Sequence, residues 1–237
     1  MRRLFQILKW GMLIALMVVV LAFTNKNHEQ TFLQLDQITI ENSEDRFITK
    51  ELILEHIRDN NSDSILLSSL YLNNLELNLL NHSALKKAEV YSSQDGILSI
   101  NLEQRKAVVR IKTSNTDYYL DEDGLEMPLS RNYTPRVLVV SGDVNSSHHS
   151  SIFSFVTIIN KSEFWKSQII QLHFTADEVI IIPRVGDQKI HFGELTNIND
   201  KLEDLYQFYK QVIPTKGWQT YSEISVKYNS QIVCVKK

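Results

Sequence analysis

Hydrophobic and polar positions divide the chain into three stretches of different period. From Trp10 to Phe23 the run WGMLIALMVVVLAF has no charged or strongly polar residue, and Leu4, Phe5, Ile7 and Leu8 carry the apolar character back toward the N-terminus. A membrane helix needs about 20 mostly apolar residues, and 4–23 supplies them once Gln6 and Lys9 extend toward the head groups. Trp10 suits the interfacial belt. The expected layout is a cytoplasmic tail at 1–9, then a transmembrane anchor and exit at 10–27, with Trp10, Leu13, Leu16, Val19 and Phe23 as anchor positions. Ala22-Phe23-Thr24 offers no A-x-A-like cleavage site, which favours an uncleaved anchor over a signal peptide.

The second stretch mixes two periods. Leu35, Ile38 and Ile40 predict a strand. Thr49 then caps a helix reaching about Asn60, with Leu52, Ile53 and Ile57 as its apolar stripe. Ser68 or Ser69 opens a second helix carrying Leu72, Leu75 and Leu79, closed by Asn81-His82-Ser83. Ala88–Tyr91 and Ile97–Leu102 flank Asp95-Gly96, a pair that tolerates the positive φ of a two-residue hairpin. The order over 34–106 is therefore β-α-α-β-β.

From 107 to 237 strand patterns dominate. Val108–Ile111 and Tyr118–Leu120 lead through Asp123-Gly124 to Leu125–Leu129. A polar loop at Ser146–Ser151 precedes a helix bearing Ile152, Phe153, Val156 and Ile159. Ile169–Phe174, Val179–Ile182 and Lys189–Phe192 follow as strands. Leu202, Leu205, Tyr206, Tyr209, Val212 and Ile213 share one face of a late amphipathic helix, Asn199–Ile213, which Pro214 and Gly217 are expected to stop. Ile224, Val226 and Tyr228 alternate with polar residues, and Gln231–Val235 gives the last strand. The predicted fold class is α+β.

Composition narrows the function classes. The 237 residues include 43% hydrophobic and 22% charged positions, the profile of a folded protein rather than a disordered one. The single Cys234 excludes an internal disulfide and zinc sites built on several cysteines. Arg2, Arg3, Lys9 and Lys26 are the charges of 1–27, which leaves 21 basic and 28 acidic residues, net −7, for 28–237. An acidic body disfavours nucleic-acid binding, and the basic N-terminus places that end in the cytoplasm and the bulk outside by the positive-inside rule.

No G-x-S-x-G, H-E-x-x-H, Walker A or G-x-G-x-x-G occurs. His148-His149 lie in a Ser-rich stretch with only Asp143 as a nearby carboxylate, so solvated loop histidines are expected rather than metal ligands. Asp121-Glu122-Asp123-Gly124 resembles a calcium loop only superficially. With Gly124 sixth, Tyr119 and Ser130 fall where acidic ligands are required, and a hairpin turn is the better reading. His173 and His191 fall in strands and are expected to be structural, and Glu203 and Asp204 lie on the polar side of the late helix. Neither metal, cofactor nor small-molecule substrate is expected.

Several segments together resemble the bacterial cell-division family FtsQ, also called DivIB. ALKKAEVYSSQDGILSINLEQRKAVVR (84–110) is similar to the family segment ending in E/Q-R-x-P-V, with Gln104-Arg105 in place and Ala107 where proline is usual. YYLDEDGLEMPL resembles the hairpin that opens the family's β domain. Ile224–Tyr228 sits where the family shows an apolar-Asp-Leu-Arg-Tyr run, keeping the positive charge at Lys227 and the ring at Tyr228 while lacking the aspartate. The resemblance implies a transmembrane helix, a POTRA-like domain at 34–106, a β domain at 107–237 and a non-enzymatic role in septal wall synthesis among other divisome proteins. It implies FtsB and FtsL as partners docking on the C-terminal region.

A terminal strand presents unpaired backbone groups that accept another chain by strand addition. Glu223, Ile224, Val226, Lys227, Tyr228, Gln231, Ile232 and Val233 are the expected partner-binding residues. The same alternation over 223–228 equally serves the domain's own core, so Tyr228 faces either partner or core. Two rival classes stay open: an exported hydrolase with a site assembled from scattered residues, and a POTRA-type secretion component.

Overall fold

The protein is described here by a computed structural model covering residues 2–29, 34–41, 47–60, 69–93, 97–228 and 231–237. It forms two compact units, Met1–Gln104 and Arg105–Lys237.

In the first unit, α1 (Arg2–Glu29) is a continuous helix of 28 residues. Its described side chains, Gln6 and Lys9–Leu21, are all exposed. Trp10–Leu21 covers about 18 Å at 1.5 Å per residue, short of a ~30 Å hydrocarbon core, and no helix among the described residues is long and apolar enough to cross a membrane. The expected span also draws on Leu4, Phe5, Ile7, Leu8, Ala22 and Phe23, whose side chains lie outside those described.

The remaining elements of this unit follow the predicted order: β1 (Gln34–Glu41), α2 (Lys50–Asn60), α3 (Ser69–Leu80), β2 (Leu85–Ser92) and β3 (Ile97–Gln104). The sheet runs β1-β3-β2, with β1 parallel to β3 and β2 antiparallel to it. Thr49 caps α2 as expected: its Oγ1 accepts from the Leu52 N–H at 3.4 Å. Ser68 and the Asp95-Gly96 turn lie outside the described residues. Along β3, Leu98, Ile100, Leu102 and Gln104 all point inward. Period two thus forces a glutamine into the core, where its Oε1 accepts the Ile48 N–H at 2.8 Å, as a buried polar group requires.

The second unit is built on one nine-stranded sheet in the order β12-β11-β10-β9-β8-β7-β4-β5-β6. Its strands are β4 (Ala107–Lys112), β5 (Asp117–Asp121), β6 (Glu126–Met127), β7 (Leu138–Gly142), β8 (Ile169–Phe174), β9 (Val179–Pro183), β10 (Lys189–Gly193), β11 (Tyr221–Tyr228) and β12 (Gln231–Lys236). Three junctions are parallel, β4–β7, β7–β8 and β10–β11. The last two are crossed by helices: α4 (His149–Asn160) and α5 (Glu163–Gln168), then α6 (Ile198–Gln211) and α7 (Ile213–Lys216). Their apolar faces join Val140, Leu172, Ile181, Phe192, Ile224 and Val226 in one core.

Several expectations are corrected. β7 and α5 occupy segments for which no element was expected. Ser146–Ser151 is not a loop: residues 146–148 form a 3-10 turn capped by Asn145, and α4 begins at His149. Phe155 rather than Phe153 fills the α4 core face, and only Glu126–Met127 of Leu125–Leu129 pairs as strand. Pro214 does not end the helical stretch but sits in the first turn of α7, where its missing N–H costs nothing. Lys201 lies on the buried side of α6, its Nζ donating to the Phe192 and Glu194 carbonyls at 3.1 and 2.8 Å.

Candidate functional site

At the β6 end the sheet stops after two residues, whereas β12 presents a six-residue edge that, among the described residues, pairs only with β11. This edge is positioned by the antiparallel register Ile224↔Cys234, Ser225↔Val233 and Tyr228↔Gln231. Alternation, interrupted by a bulge between Ser225 and Tyr228, sorts the expected partner-binding residues into two groups. Ile224 and Val226 are 1% and 2% exposed and belong to the unit's core, with Ile232 and Cys234 packed against it. Tyr228 and Val233 are 51% and 42% exposed, and Gln231 is exposed. Tyr228 therefore stands clear of the core, with the Lys227 ammonium 5.7 Å from its ring centre. Val235, half exposed on the same face as Val233, was missed by the sequence reading, although it shares Val233's parity along the strand.

Charged groups brace the strand behind this edge. His191 on β10 hydrogen-bonds Glu178 through Nδ1 at 2.7 Å, while its Nε2 lies 3.3 Å from Glu223, within ion-pair range but out of line for a hydrogen bond. Lys227 reaches Glu178 at 3.3 Å. Burial pushes the Glu178 carboxyl up, but hydrogen bonds from His191 and Lys227, and their charges, outweigh it and hold it below the usual carboxylate range. Beyond Val235, Lys237 Nζ contacts both Asp187 oxygens at 2.6 and 2.7 Å and Gln219 at 2.8 Å.

The other singled-out residues have structural partners. His148 and His149 are half-buried and have partners: the His148 ring lies 5.2 Å from that of Phe174, and His149 Nε2 is 2.6 Å from the Tyr118 hydroxyl. Asp121, 1% exposed, meets Arg105 Nε at 2.7 Å and accepts the Asp123 and Leu125 N–H groups at 3.0 and 2.8 Å. It closes the hairpin expected at Asp123-Gly124. His173 Nδ1 lies 3.0 Å from Ser141 Oγ, which accepts from Gln171 Nε2 at 2.7 Å. Ser141 is the only hydrogen-bond partner of His173 among the described residues, so the orienting carboxylate of a catalytic triad is missing there. No cluster of three metal-ligating side chains occurs among the described residues.

These features define a two-unit α+β protein whose sheet ends in an open, partly apolar edge. The chain belongs to the FtsQ/DivIB, C-terminal related family, which matches residues 106–235, more than half of its length, and that membership gives it a role in cell division. No curated protein matches the chain. Among solved structures, the major extracytoplasmic domain of the trans isomer of the cell division protein DivIB from Geobacillus stearothermophilus is matched over 97% of its length and 47% of this chain. The identity is 13% and the TM-score 0.35.

Proposed function

We propose that the protein is a non-enzymatic, membrane-anchored divisome scaffold that recruits FtsB and FtsL through the β11–β12 edge and thereby helps regulate septal peptidoglycan synthesis. The observation that carries this reading is the open β12 edge, whose exposed Val233 and neighbouring Tyr228 offer apolar contacts beside unpaired backbone groups. In this reading Ile224, Val226 and Ile232 hold the strand from inside, while Glu223 and Lys227 fix its register through His191 and Glu178. Gln231, Tyr228 and Val233 meet the partner. The helix Arg2–Glu29, with Trp10, Leu13, Leu16, Val19 and Phe23, serves as a single-pass anchor with its N-terminus in the cytoplasm. Residues 34–106 act as a POTRA-like domain and 107–237 as the β domain outside the membrane. Anchoring confines scaffold and partners to one surface, so a modest interface suffices.

The test is co-purification of the full chain from mild detergent, comparing wild type with Tyr228→Glu and Val233→Lys. Both positions are exposed, so both variants are expected to keep the wild-type melting temperature while losing at least about tenfold of the bound FtsB and FtsL, the effect of roughly 1.4 kcal/mol. Undiminished recovery by both variants would remove this edge from the interface, and no recovery by wild type would remove the partners.

A further inference from the structure

On the face of the sheet opposite the core, β10, β11 and β12 carry a row of side chains. His191, Ser225 and Val233 stand in register, and Glu223 pairs with Val235 one step along. We propose that His191 is a proton-operated latch: as imidazolium it draws the Glu223 carboxylate inward from the β12 edge, so that docking on that edge strengthens as pH falls from neutral. The inference rests on the edge reading given above and adds its regulation.

The ring lies between two carboxylates. Glu178 meets its Nδ1 at 2.7 Å, and an ionised carboxylate can only accept, so a neutral ring carries its proton on Nδ1 and leaves a lone pair on Nε2. That atom is buried, makes no hydrogen bond among the described residues and lies 3.3 Å from Glu223 Oε2. A lone pair facing an anion repels it. A second proton reverses the contact, because Nε2–H then donates a charge-assisted hydrogen bond to Glu223. Burial raises the Glu178 carboxyl, but hydrogen bonds from His191 and Lys227, and their charges, hold it below the usual carboxylate range, so it stays an anion while the ring titrates. Lys227 reaches Glu178 at 3.3 Å, Lys189 is in register with Glu223, and His173 lies one strand further, beyond Ile180.

The position of Glu223 matters at the edge. Its side chain is 46% exposed, so little packing opposes a turn, and its partner Val235 is exposed beside Val233. Held at His191, the carboxylate keeps its charge and its water away from the two valines. Released, it must be desolvated before a strand can cover that apolar surface.

The test follows the full chain in lipid nanodiscs, with ring-labelled histidine and methyl-labelled valine, from about pH 8 to about pH 5.5, the range in which imidazoles titrate. The Val233 and Val235 methyl signals are expected to share the midpoint of the His191 ring, and Glu223→Gln and His191→Gln should each abolish that response. Recovery of co-purified FtsB and FtsL should rise about threefold between about pH 7.5 and about pH 6, the effect of a partly exposed ion pair, and stay level in both variants. Valine signals that ignore His191, or that still follow it in Glu223→Gln, overturn the latch, as does wild-type recovery that is equal at both pH values. Absence of FtsB and FtsL from wild type at every pH would instead strike the edge reading, because the ring and methyl titration is read on the chain alone.

Discussion

Asp121 and Arg105 show how single residues carry the family resemblance. The Gln-Arg pair and the Asp-Gly hairpin stand apart in sequence, and the 2.7 Å contact between a 2% and a 13% exposed side chain joins them. Removing one member of a buried pair strands the other charge. Asp121→Ala also orphans the Asp123 and Leu125 N–H groups, so a loss of about 3–5 kcal/mol in urea unfolding is expected. Gly142 is a second fixed point. It has φ +90°, and a Cβ there would lie 1.9 Å from the Phe174 carbonyl oxygen. Gly142→Ala should cost roughly 2 kcal/mol or more, read as a lower melting temperature, because neither the dihedral nor the space suits a side chain. Neither constraint was legible beforehand: the Asp-Gly turn suggested a hairpin without naming the arginine, and Gly142 lay in a segment assigned no element.

Among the elements, α6 and the strand pair β2–β3 were readable because their apolar residues recur at one clean period. β7 was not. Leu138, Val139 and Val140 form a continuous apolar run in sequence, which hides the alternation the strand keeps in burial, with Leu138 and Val140 buried and Val139 half-buried. The six-residue α5 is too short for a helical repeat to appear, and the ammonium of Lys201, satisfied by two carbonyls, contradicts a simple apolar stripe. The candidate edge was legible as alternating strands, but which side chains face outward depended on register. The link from Glu178 to β10 and β11 also predicts a pH dependence. Because the folded carboxyl is held below its unfolded value, its contribution is fully present above the ordinary carboxylate range and is lost as pH falls through the depressed folded value. Lys227→Met should therefore flatten the acid limb of a stability-versus-pH curve, with little change in the shape of the curve near neutrality.

For the whole molecule, each unit has its own buried core, the condition for folding alone. Residues 105–237 expressed separately should unfold in a single cooperative transition by calorimetry. A broad, non-cooperative melt would show that this core is insufficient. The division between the units falls at Gln104-Arg105, where consecutive side chains are fastened to different cores, Gln104 to Ile48 and Arg105 to Asp121. The order of elements in each unit was within reach of pattern reading. The nine-strand order was not, since β4 pairs with β7 and β10 with β11 across long connections that periodicity cannot report.

The edge position of β12 also has a mechanical consequence. A strand laid along it would share a ladder in which every hydrogen bond lies across the strand axis. Tension directed along that axis would load all of those bonds together, whereas tension lifting one end away would break them singly. Such a junction would be strong in shear and weak in peeling, so the direction of pull, as much as the affinity, would decide whether it holds.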